Sequence, residues 1–337
     1  MKTFVLFLTT FFVSIPAGAQ WVKQTVDTTA SLRGLSVVNE KVVWASGTGG
    51  TVIKTADGGK TWKVMTVPGA EKLDFRDIEA FDANTAYILS IGNGENSRIY
   101  KTTDGGVTWK EQFRNKDEKA FFDAIACWDR YACIAMSDPV DGEYVLMSTP
   151  KGEVWLQHLS DSKSAPKAKD GEAAFAASGT CLITHGRHGV FLVSGGSDAR
   201  VFRSDDRGLG WTTVNTPITK GTSGSGIFSI AMYDDMNGVI VGGNYEKPNE
   251  AKDNLAFTVD GGKTWTRGNG LSGYRSAVTY IDYRTIIAVG TNGTDLTLDG
   301  GKTWTKMGDE GLNAVGAKGK KAVWAVGPNG LVVKLNQ

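Results

Sequence analysis

A short polar segment with two adjacent glycines and a terminal tryptophan recurs along the chain, and it constrains the fold more than any other feature. The four closest copies read TADGGKTW (55–62), TTDGGVTW (102–109), TVDGGKTW (258–265) and TLDGGKTW (297–304). Two divergent copies are STPKGEVW (148–155) and SDDRGLGW (204–211). Asp favours turns because its carboxylate accepts hydrogen bonds from nearby backbone amides, and Gly adopts positive φ without steric cost. The segment therefore predicts a hairpin turn with a structural role between two outer strands.

Each copy lies inside a longer repeat of four short β-rich runs. An inner run comes first, as in LRGLSVV and FSIAMY, and a second run ends in small residues, as in VVWASG and VIVGG. The turn segment then joins a third run to a fourth run that starts at the tryptophan. Four short strands in a repeat of this kind are typical of a β-propeller blade.

The two ends of the chain decide the number of blades. Six copies of the turn give six complete units, and LNAVGAKGKKAVWAVGPNGLVVKLN (312–336) supplies three further strands. QWVKQ (20–24) aligns with the tryptophan runs TWKVM and TWKEQ, so Trp21 is predicted to lie on the fourth strand of a seventh blade. We therefore predict an all-β, seven-bladed β-propeller as a single domain over 20–337. Closure by the N-terminal strand would remove the free sheet edges that invite aggregation.

The first 19 residues have the pattern of a secretory signal peptide. Lys2 gives a positive start, an apolar run covers 4–15, and small residues at 17–19 form a cleavage site before Gln20. The alternative is a membrane anchor, but the apolar run is about 12 residues long and a spanning helix needs about 20. We therefore expect a secreted or periplasmic protein that does not insert into a membrane after cleavage.

The charge balance narrows the class of partner. Removal of 1–19 takes away Lys2 and leaves 36 basic against 36 acidic residues. A net charge near zero argues against nucleic acid as the main partner. No cofactor is predicted, because the sequence has neither a strand–GxGxxG–helix unit nor a haem or iron–sulfur cysteine pattern. No metal site is predicted either, since the two histidines of THGRHG (184–189) have no carboxylate in that pattern.

The sequence contains three cysteines, which cannot all pair within one chain. Cys127 and Cys133 flank WDRYA in a predicted hairpin, where a cross-strand disulfide is sterically allowed. Two buried free thiols are the alternative for this pair. Cys181 is expected to be a buried free thiol.

The turn segment resembles the Asp-box (BNR) repeat, whose pattern is S/T-x-D-x-G-x-T-W. Over 20–337 the units resemble the photosystem II stability and assembly-factor-like propellers, and FRDIEAF, FSIAMYDDMNGVIVGG and GYRSAV carry that resemblance. FFDAIACWDR and GGSDARVFRSDDRG are similar to a secreted bacterial branch. The resemblance implies a propeller that binds a partner, as the photosynthetic members bind a folding membrane subunit. It does not imply a photosynthetic partner for this chain.

Ligands of propellers usually lie at one mouth of the central channel, on the face opposite the turn segments. Alignment of the inner strands at their first residue gives, in chain order, Arg33, Arg76, Phe122, Phe175, Phe228, Arg275 and Asn313. The three arginines would form one arc of the mouth and the three phenylalanines the other. Because Arg can clamp a carboxylate through two parallel hydrogen bonds, the mouth is predicted to bind an acidic group joined to an apolar body. Alternatively, the arginines pair with neighbours such as Asp74, Asp77 and Asp123.

Four further ligand-binding candidates lie on loops of the same face that depart from the repeat. The loops SDPVDGEY, GGSDAR, GGNYEKP and SGYRS contribute Asp138, Arg200, Tyr245 and Tyr274. Loops on a rigid scaffold often carry function, and solvated filler is the alternative for these four.

Two classes of function follow from these candidates. The favoured class is a non-enzymatic, monomeric binding or assembly-factor-like protein that takes a protein segment, or an acidic small molecule or glycan. The alternative is a sialidase-like glycoside hydrolase acting on an acidic glycan. Its carboxylate triad would be Arg33, Arg76 and Arg275, with Tyr245 or Tyr274 as nucleophile and Asp74 or Asp138 as acid. Sialidases are normally six-bladed, and FRDI matches their FRIP motif only loosely, so no catalytic residue is assigned.

Overall fold

Residues 19–158 and 165–336, which the computed structural model describes, form seven antiparallel sheets arranged as the blades of a propeller. The predicted seven-bladed, all-β architecture is therefore confirmed. Within these residues the one helical element is a single 3₁₀ turn at Gly94–Asn96. The predicted signal peptide lies outside the described residues except for Ala19, so that prediction stays untested. No helix in the described residues is long and apolar enough to cross a membrane.

The first half of the chain follows the predicted repeat closely. Strand β1 (Gln20–Lys23) belongs to the last blade, and blades 1, 2 and 3 then have four consecutive strands each. Blade 1 is β2 (Leu32–Val37), β3 (Val43–Gly47), β4 (Thr51–Thr55) and β5 (Lys63–Thr66). Blade 2 is β6 (Phe75–Ala80), β7 (Ala86–Ser90), β8 (Arg98–Thr102) and β9 (Lys110–Arg114). Blade 3 is β10 (Phe122–Cys127), β11 (Cys133–Val140), β12 (Glu143–Thr149) and β13 (Leu156–Gln157).

Blade 4 departs from the repeat, because one extra short strand precedes it and a second one interrupts it. These are β14 (Glu172–Ala173) and β17 (Gly195–Gly196), which pair with each other and extend the sheet of blade 5. Blade 4 itself is β15 (Leu182–His185), β16 (Gly189–Val193), β18 (Arg200–Ser204) and β19 (Thr212–Asn215). Blade 5 is β20 (Ser225–Met232), β21 (Gly238–Asn244), β22 (Leu255–Thr258) and β23 (Thr266–Arg267).

Blade 6 is β24 (Ala277–Tyr280), β25 (Ile286–Gly290), β26 (Gly293–Thr297) and β27 (Thr305–Gly308). Blade 7 combines both ends of the described chain in the order β1–β30–β29–β28. Its C-terminal strands are β28 (Ala314–Ala317), β29 (Val323–Val326) and β30 (Val332–Asn336). In the pairing of β1 with β30, Trp21 lies opposite Leu335 and Lys23 opposite Val333. The structure thus confirms the ring closure predicted from QWVKQ.

The Asp-box turns are held by the hydrogen bonds that their residue types predict. In the first copy, both carboxylate oxygens of Asp57 accept from Thr61, at 2.9 Å from its amide and 2.6 Å from its hydroxyl. Thr55 Oγ1 accepts from the amide of Gly59 at 2.9 Å. The hydrogen bonds from Thr61 lower the pKa of Asp57 to about 2. The turn is therefore stabilised by an ionised carboxylate, and this requirement explains the repeated Asp.

The second glycine of the box is needed because the preceding blade approaches it. Gly59 has φ +91°, and a Cβ there would lie 2.4 Å from the ring of Trp324 in blade 7. Gly301 has φ +89°, and a Cβ there would lie 2.2 Å from the ring of Phe257 in blade 5. Any other residue would be strained by its backbone and would collide with the neighbouring blade.

The box tryptophans join each blade to the one before it. In blades 1, 2 and 3 the tryptophan meets an aromatic ring of the preceding blade edge to face, with ring centroids 5.6 to 6.5 Å apart: Trp62 on Trp324, Trp109 on Trp44 and Trp155 on Tyr87. Trp21 has the same role in blade 7, since its Nε1 donates to Thr294 Oγ1 of blade 6 at 3.0 Å. Trp21 is therefore a seventh copy of the interblade contact.

The structure shows which cysteines are paired. Cys127 and Cys133 are directly paired across β10 and β11 and form a disulfide. Cys181 is a buried free thiol, as predicted.

Candidate functional site

An irregularity at the start of the inner strand decides which side chain of a blade reaches the channel. In blades 1, 2, 3 and 5 the pairing of the first two strands skips one residue at the same point. Such a bulge leaves one residue unpaired and re-aims its side chain. The four skipped residues are Arg33, Arg76, Asp123 and Phe228.

All four skipped residues line a cavity of about 380 Å³ at the mouth of the channel, on the face opposite the Asp-boxes. In blades 6 and 7 the corresponding positions, just before Ala277 and Ala314, are Ser276 and Asn313. These two also line the cavity. The bulge position, rather than the first residue of the strand, is therefore the position that repeat symmetry brings to a common height around the axis.

The structure brings together seven of the ten predicted binding residues. Those that line the cavity are Arg33, Arg76, Asp138, Phe175, Phe228, Tyr245 and Tyr274. Their predicted role in ligand binding stays a prediction.

Arg275 does not lie in the cavity, and its predicted position is corrected. Its side chain is fully buried within blade 6, where the guanidinium contacts Asp295 Oδ2 at 2.6 to 2.8 Å. Nη2 also donates to Ser272 Oγ at 2.6 Å, and Nη1 to Asn292 Oδ1 at 2.6 Å. The cause is register: Arg275 precedes the channel-facing Ser276 by one residue, and a shift of one residue reverses the face of a strand.

Phe122 and Arg200 also lie outside the mouth cavity, contrary to prediction. Phe122 is one residue before the bulge, so its ring packs inside the blade against Phe113 at 5.1 Å. Arg200 is held by Glu172, which is 4% exposed, and its guanidinium stacks over Phe202 at 4.8 Å. It therefore ties β18 to β14 rather than reaching the mouth.

The floor of the cavity is a segment that crosses the channel, residues 174–180, which we term the channel segment. Ala177 O accepts from Arg33 Nη1 at 3.1 Å, and Ser178 Oγ donates to Ser276 O at 3.0 Å. On another side, Thr180 Oγ1 lies 2.7 Å from Ser229 Oγ of blade 5. Residues 178–180 of the channel segment also line a separate cavity of about 510 Å³ toward the Asp-box face. The channel segment thus divides the channel into two cavities.

Close contact fixes the channel segment at one further point. Gly179 has φ +79°, and a Cβ there would lie 2.2 Å from Asp77 Oδ1. Asp77 accepts from the amides of Ile78 and Ile125 at 2.8 Å, and burial raises its pKa to about 7. Asp77 therefore supports the floor of the mouth cavity but does not line that cavity.

The two channel-facing arginines differ in their pairing. Arg76 Nε donates to Asp74 Oδ2 at 2.8 Å, and Nη1 donates to Ala176 O at 3.2 Å. Arg33 has no ion pair among the described residues, and its Nη1 bonds to Ala177 O. Burial and the neighbouring Arg76 lower the pKa of Arg33. Arg33 is therefore a cation whose charge is not balanced by an ion-pair partner within the described cavity.

An aromatic wall faces the arginines. Phe175 stacks on Phe228 with ring centroids 3.9 Å apart and 5° between the planes, and Tyr274 meets Phe228 edge to face at 4.7 Å. Tyr245 lies edge-on to the same stack and is 48% exposed at the rim. Phe175 is on the channel segment and not at the start of an inner strand as predicted. The ring of Phe175 nevertheless lies beside Phe228 in the mouth cavity, on the side where the sequence predicted the phenylalanines.

Two carboxyl groups complete the cavity. Asp123 is 1% exposed, and its Oδ2 has no hydrogen-bond partner. Asp138 Oδ1 accepts from the amide of Ala174 at 2.8 Å. Burial and the charge of Asp138 raise the pKa of Asp123 well above its usual range, and burial raises that of Asp138 to about 6.

Sequence reasoning missed Asp123 and Ser276 as cavity residues. It treated Asp123 only as a possible partner of an arginine. A signal was present: a small residue directly follows the channel-facing position in five blades, namely Gly34, Ala124, Ser229, Ala277 and Ala314. Alignment on that small residue would have selected the correct channel-facing position.

Two of the three histidines have side-chain hydrogen-bond partners. His185 Nε2 lies 2.8 Å from Asp235 Oδ1, and His158 Nε2 lies 2.8 Å from Ser148 Oγ. Within the described residues no group of three or more His, Cys, Asp or Glu side chains is arranged to hold a metal ion.

A family model of known proteins matches the first part of the chain. Residues 13–112 match the family model described as photosynthesis system II assembly factor YCF48. Over these residues the chain is similar to photosystem II assembly factors. No curated protein matches the sequence.

Solved structures agree with the fold at low identity. A structure described as YCF48 bound to D1 peptide has a TM-score of 0.68 and 16% identity, and the match covers 95% of this chain and 98% of that one. YCF48 from Cyanidioschyzon merolae has a TM-score of 0.66 and 16% identity, with 94% and 99% covered. The WD40 propeller domain of Doa1 has a TM-score of 0.61 and 12% identity, with 95% and 98% covered. Identities this low support the shared fold alone.

The different environments of Arg275 and Arg76 give a testable difference in stability. Arg275→Met leaves Asp295 buried without its ion-pair partner, which should lower the unfolding free energy by about 3 to 5 kcal/mol. Arg76→Met removes a partly exposed ion pair and should cost about 1 kcal/mol or less. Urea unfolding of the two variants measures both values. Equal losses would contradict the placement of Arg275 inside blade 6.

Proposed function

We propose that the protein is a non-enzymatic binding or assembly-factor-like propeller whose channel-mouth cavity takes an acidic group of a protein segment. The observation that carries this proposal is Arg33, a largely buried guanidinium that faces the cavity without an ion-pair partner among the described residues. A carboxylate from outside would supply the missing negative charge through charge-assisted hydrogen bonds. Arg76, beside it, adds a second guanidinium to the same wall.

The aromatic wall supports a ligand with an apolar part next to its acidic group. The stacked pair Phe175 and Phe228 presents a rigid apolar surface, and Tyr245 extends that surface to the rim. Rigid aromatic side chains of this kind contribute contact area at low entropic cost. A side chain that inserts here would place its apolar body on the rings and its carboxylate on the arginines.

A protein segment is the favoured source of this group. The cavity is open at the channel mouth and holds only a small part of a ligand, at about 380 Å³, so the rest of the ligand would lie across the surrounding loops. The similar structure of YCF48 is described as bound to a D1 peptide, and this observation on that protein favours a peptide over a free small molecule or glycan. We propose that the chain acts as a monomer.

The sialidase-like alternative is not proposed. It required Arg33, Arg76 and Arg275 to converge on one carboxylate, but Arg275 bonds to Asp295 inside blade 6. For Tyr274, one of the two candidate nucleophiles, burial also raises the pKa and so opposes ionisation. We therefore assign no catalytic residue.

We further propose that the chain is exported to the periplasm or the exterior, on the pattern of its first 19 residues. The disulfide between Cys127 and Cys133 supports this proposal, because disulfides persist mainly in oxidising compartments. N-terminal sequencing of the protein from its native host should then begin at Gln20. A chain that retains Met1 would contradict export by cleavage.

Binding of acidic peptides tests the main proposal. The probe is a pool of capped nine-residue peptides that each carry one Phe and one Glu, and the matched pool carries Gln in place of Glu. The Glu pool should bind more tightly, and Arg33→Ala or Arg76→Ala should weaken it about ten- to a hundredfold, since a hydrogen bond to a charged group contributes about 1.5 to 3 kcal/mol. Fluorescence-anisotropy competition measures the affinities.

Arg114→Ala provides the matched control, because Arg114 pairs with Glu95 and Glu111 on the outer strand of blade 2. This variant should bind the Glu pool as the unaltered protein does. Equal binding of the Glu and Gln pools, or an equal loss with Arg114→Ala, would contradict the proposal.

A further inference from the structure

The carboxyl groups of the mouth cavity are not explained by an acidic ligand alone. A negatively charged group that entered the cavity would meet Asp123 and Asp138 as well as the arginines. Like charges at close range raise the cost of binding. An acidic ligand alone therefore leaves these two carboxyl groups without a balancing positive charge.

One carboxyl oxygen of the buried residue Asp123 lacks a hydrogen-bond partner. Its Oδ2 has no hydrogen bond, and the residue is 1% exposed. Buried carboxyl oxygens are nearly always paired, and an unpaired one in a native fold calls for an explanation. No basic side chain forms an ion pair with Asp123 or Asp138 in the described parts of the chain. Arg76, the nearby cation, is already paired with Asp74.

The aromatic wall suits a cation as well as an apolar group. Phe175, Phe228 and Tyr245 line the same cavity as the two carboxyl groups. Aromatic ring faces attract ammonium and guanidinium groups, more strongly where water is excluded. Carboxylates combined with ring faces form a favourable site for a basic side chain.

The charge balance of the empty cavity supports the same conclusion. Arg76 is balanced by Asp74, so Arg33 remains as an uncompensated cation and the pair of Asp123 and Asp138 as an uncompensated acid. Burial raises the pKa of both carboxyl groups, and a cation bound beside them would favour their ionised form. A ligand with one group of each sign would satisfy both.

We propose that Asp123 and Asp138 form a cation-binding half of the cavity, so that the bound protein segment carries a basic side chain next to its acidic group. This inference rests on the proposed function, and it names the chemistry of the partner more narrowly. Arg33 binds the carboxylate, and the two aspartates bind the ammonium or guanidinium. The apolar stems of both side chains lie on the rings.

A third peptide pool tests this inference. It contains the Phe and Glu of the earlier pool plus one Lys, and its matched pool has norleucine, which is apolar and similar in length, in place of Lys. The Lys pool should bind about tenfold more tightly than the norleucine pool. Asp138→Asn should abolish this difference and leave the norleucine pool bound as before, because Asn can still accept the hydrogen bond from Ala174.

Two further variants guard against a general loss of folding. Asp123→Asn should act like Asp138→Asn, since its Oδ2 holds no bond within the fold. Asp141→Asn is the control: Asp141 lies in the β11–β12 turn, has φ +52° that Asn tolerates, and pairs at the surface with Lys119. It should keep the full preference for Lys, and the thermal midpoint of each variant shows whether it is folded.

The outcomes separate the two proposals. If the norleucine pool binds in an Arg33-dependent way but Lys adds nothing, the cation-binding half is wrong and the proposed function stands. A preference for Lys that survives both Asp123→Asn and Asp138→Asn also overturns the cation-binding half. If no pool binds in an Arg33-dependent way, the proposed function fails and this inference fails with it.

Discussion

The pairing of β1 with β30 is the interaction on which the rest of the molecule depends. It joins the two ends of the described chain within blade 7 and places Trp21 against Thr294 of blade 6. A propeller buries its blades only against neighbouring blades, so an open ring would expose two blade faces and two sheet edges. Closure also brings blades 7, 1 and 2 side by side. These blades supply Asn313, Arg33 and Arg76 to one cavity, so the site requires the closed ring.

Within the closed ring, one extra residue in the inner strands of four blades sets much of the composition of the channel mouth. The bulge turns Arg33, Arg76, Asp123 and Phe228 toward the axis, and the channel segment closes the space beneath them. The result is a cavity with cations on one side, an aromatic wall opposite and a buried acid pair. The proposed function uses the cations and the rings, and the further inference gives the acid pair a role.

Much of the fold could be predicted from the sequence because its signals are local. The Asp-box specifies its own turn through hydrogen bonds between neighbours, and the tryptophan of QWVKQ could be recognised by its similarity to the box tryptophans. The site could be predicted only in part, because strand register decides which side chains of a blade face the channel. Because the alignment of the inner strands was wrong by one residue in two blades, Arg275 and Phe122 were predicted in the cavity, and Ser276 and Asp123 were missed. The channel segment departs from the repeat, and its path is set by contacts with five other blades that no local pattern encodes.

Deletion of residues 20–26 tests the central claim most directly, because it removes β1 and leaves blades 1 to 6 intact in sequence. Closure predicts a fall in the thermal midpoint on the order of 10 °C or more, since the deletion removes the half-buried Trp21 together with the strand that pairs with β30, and each kcal/mol corresponds to about 2 to 4 °C. Val22→Ala, which trims a half-exposed side chain of β1, should change the midpoint by only about 2 °C or less. A midpoint that the deletion leaves unchanged would contradict closure by the N-terminal strand and the shared cavity that depends on it.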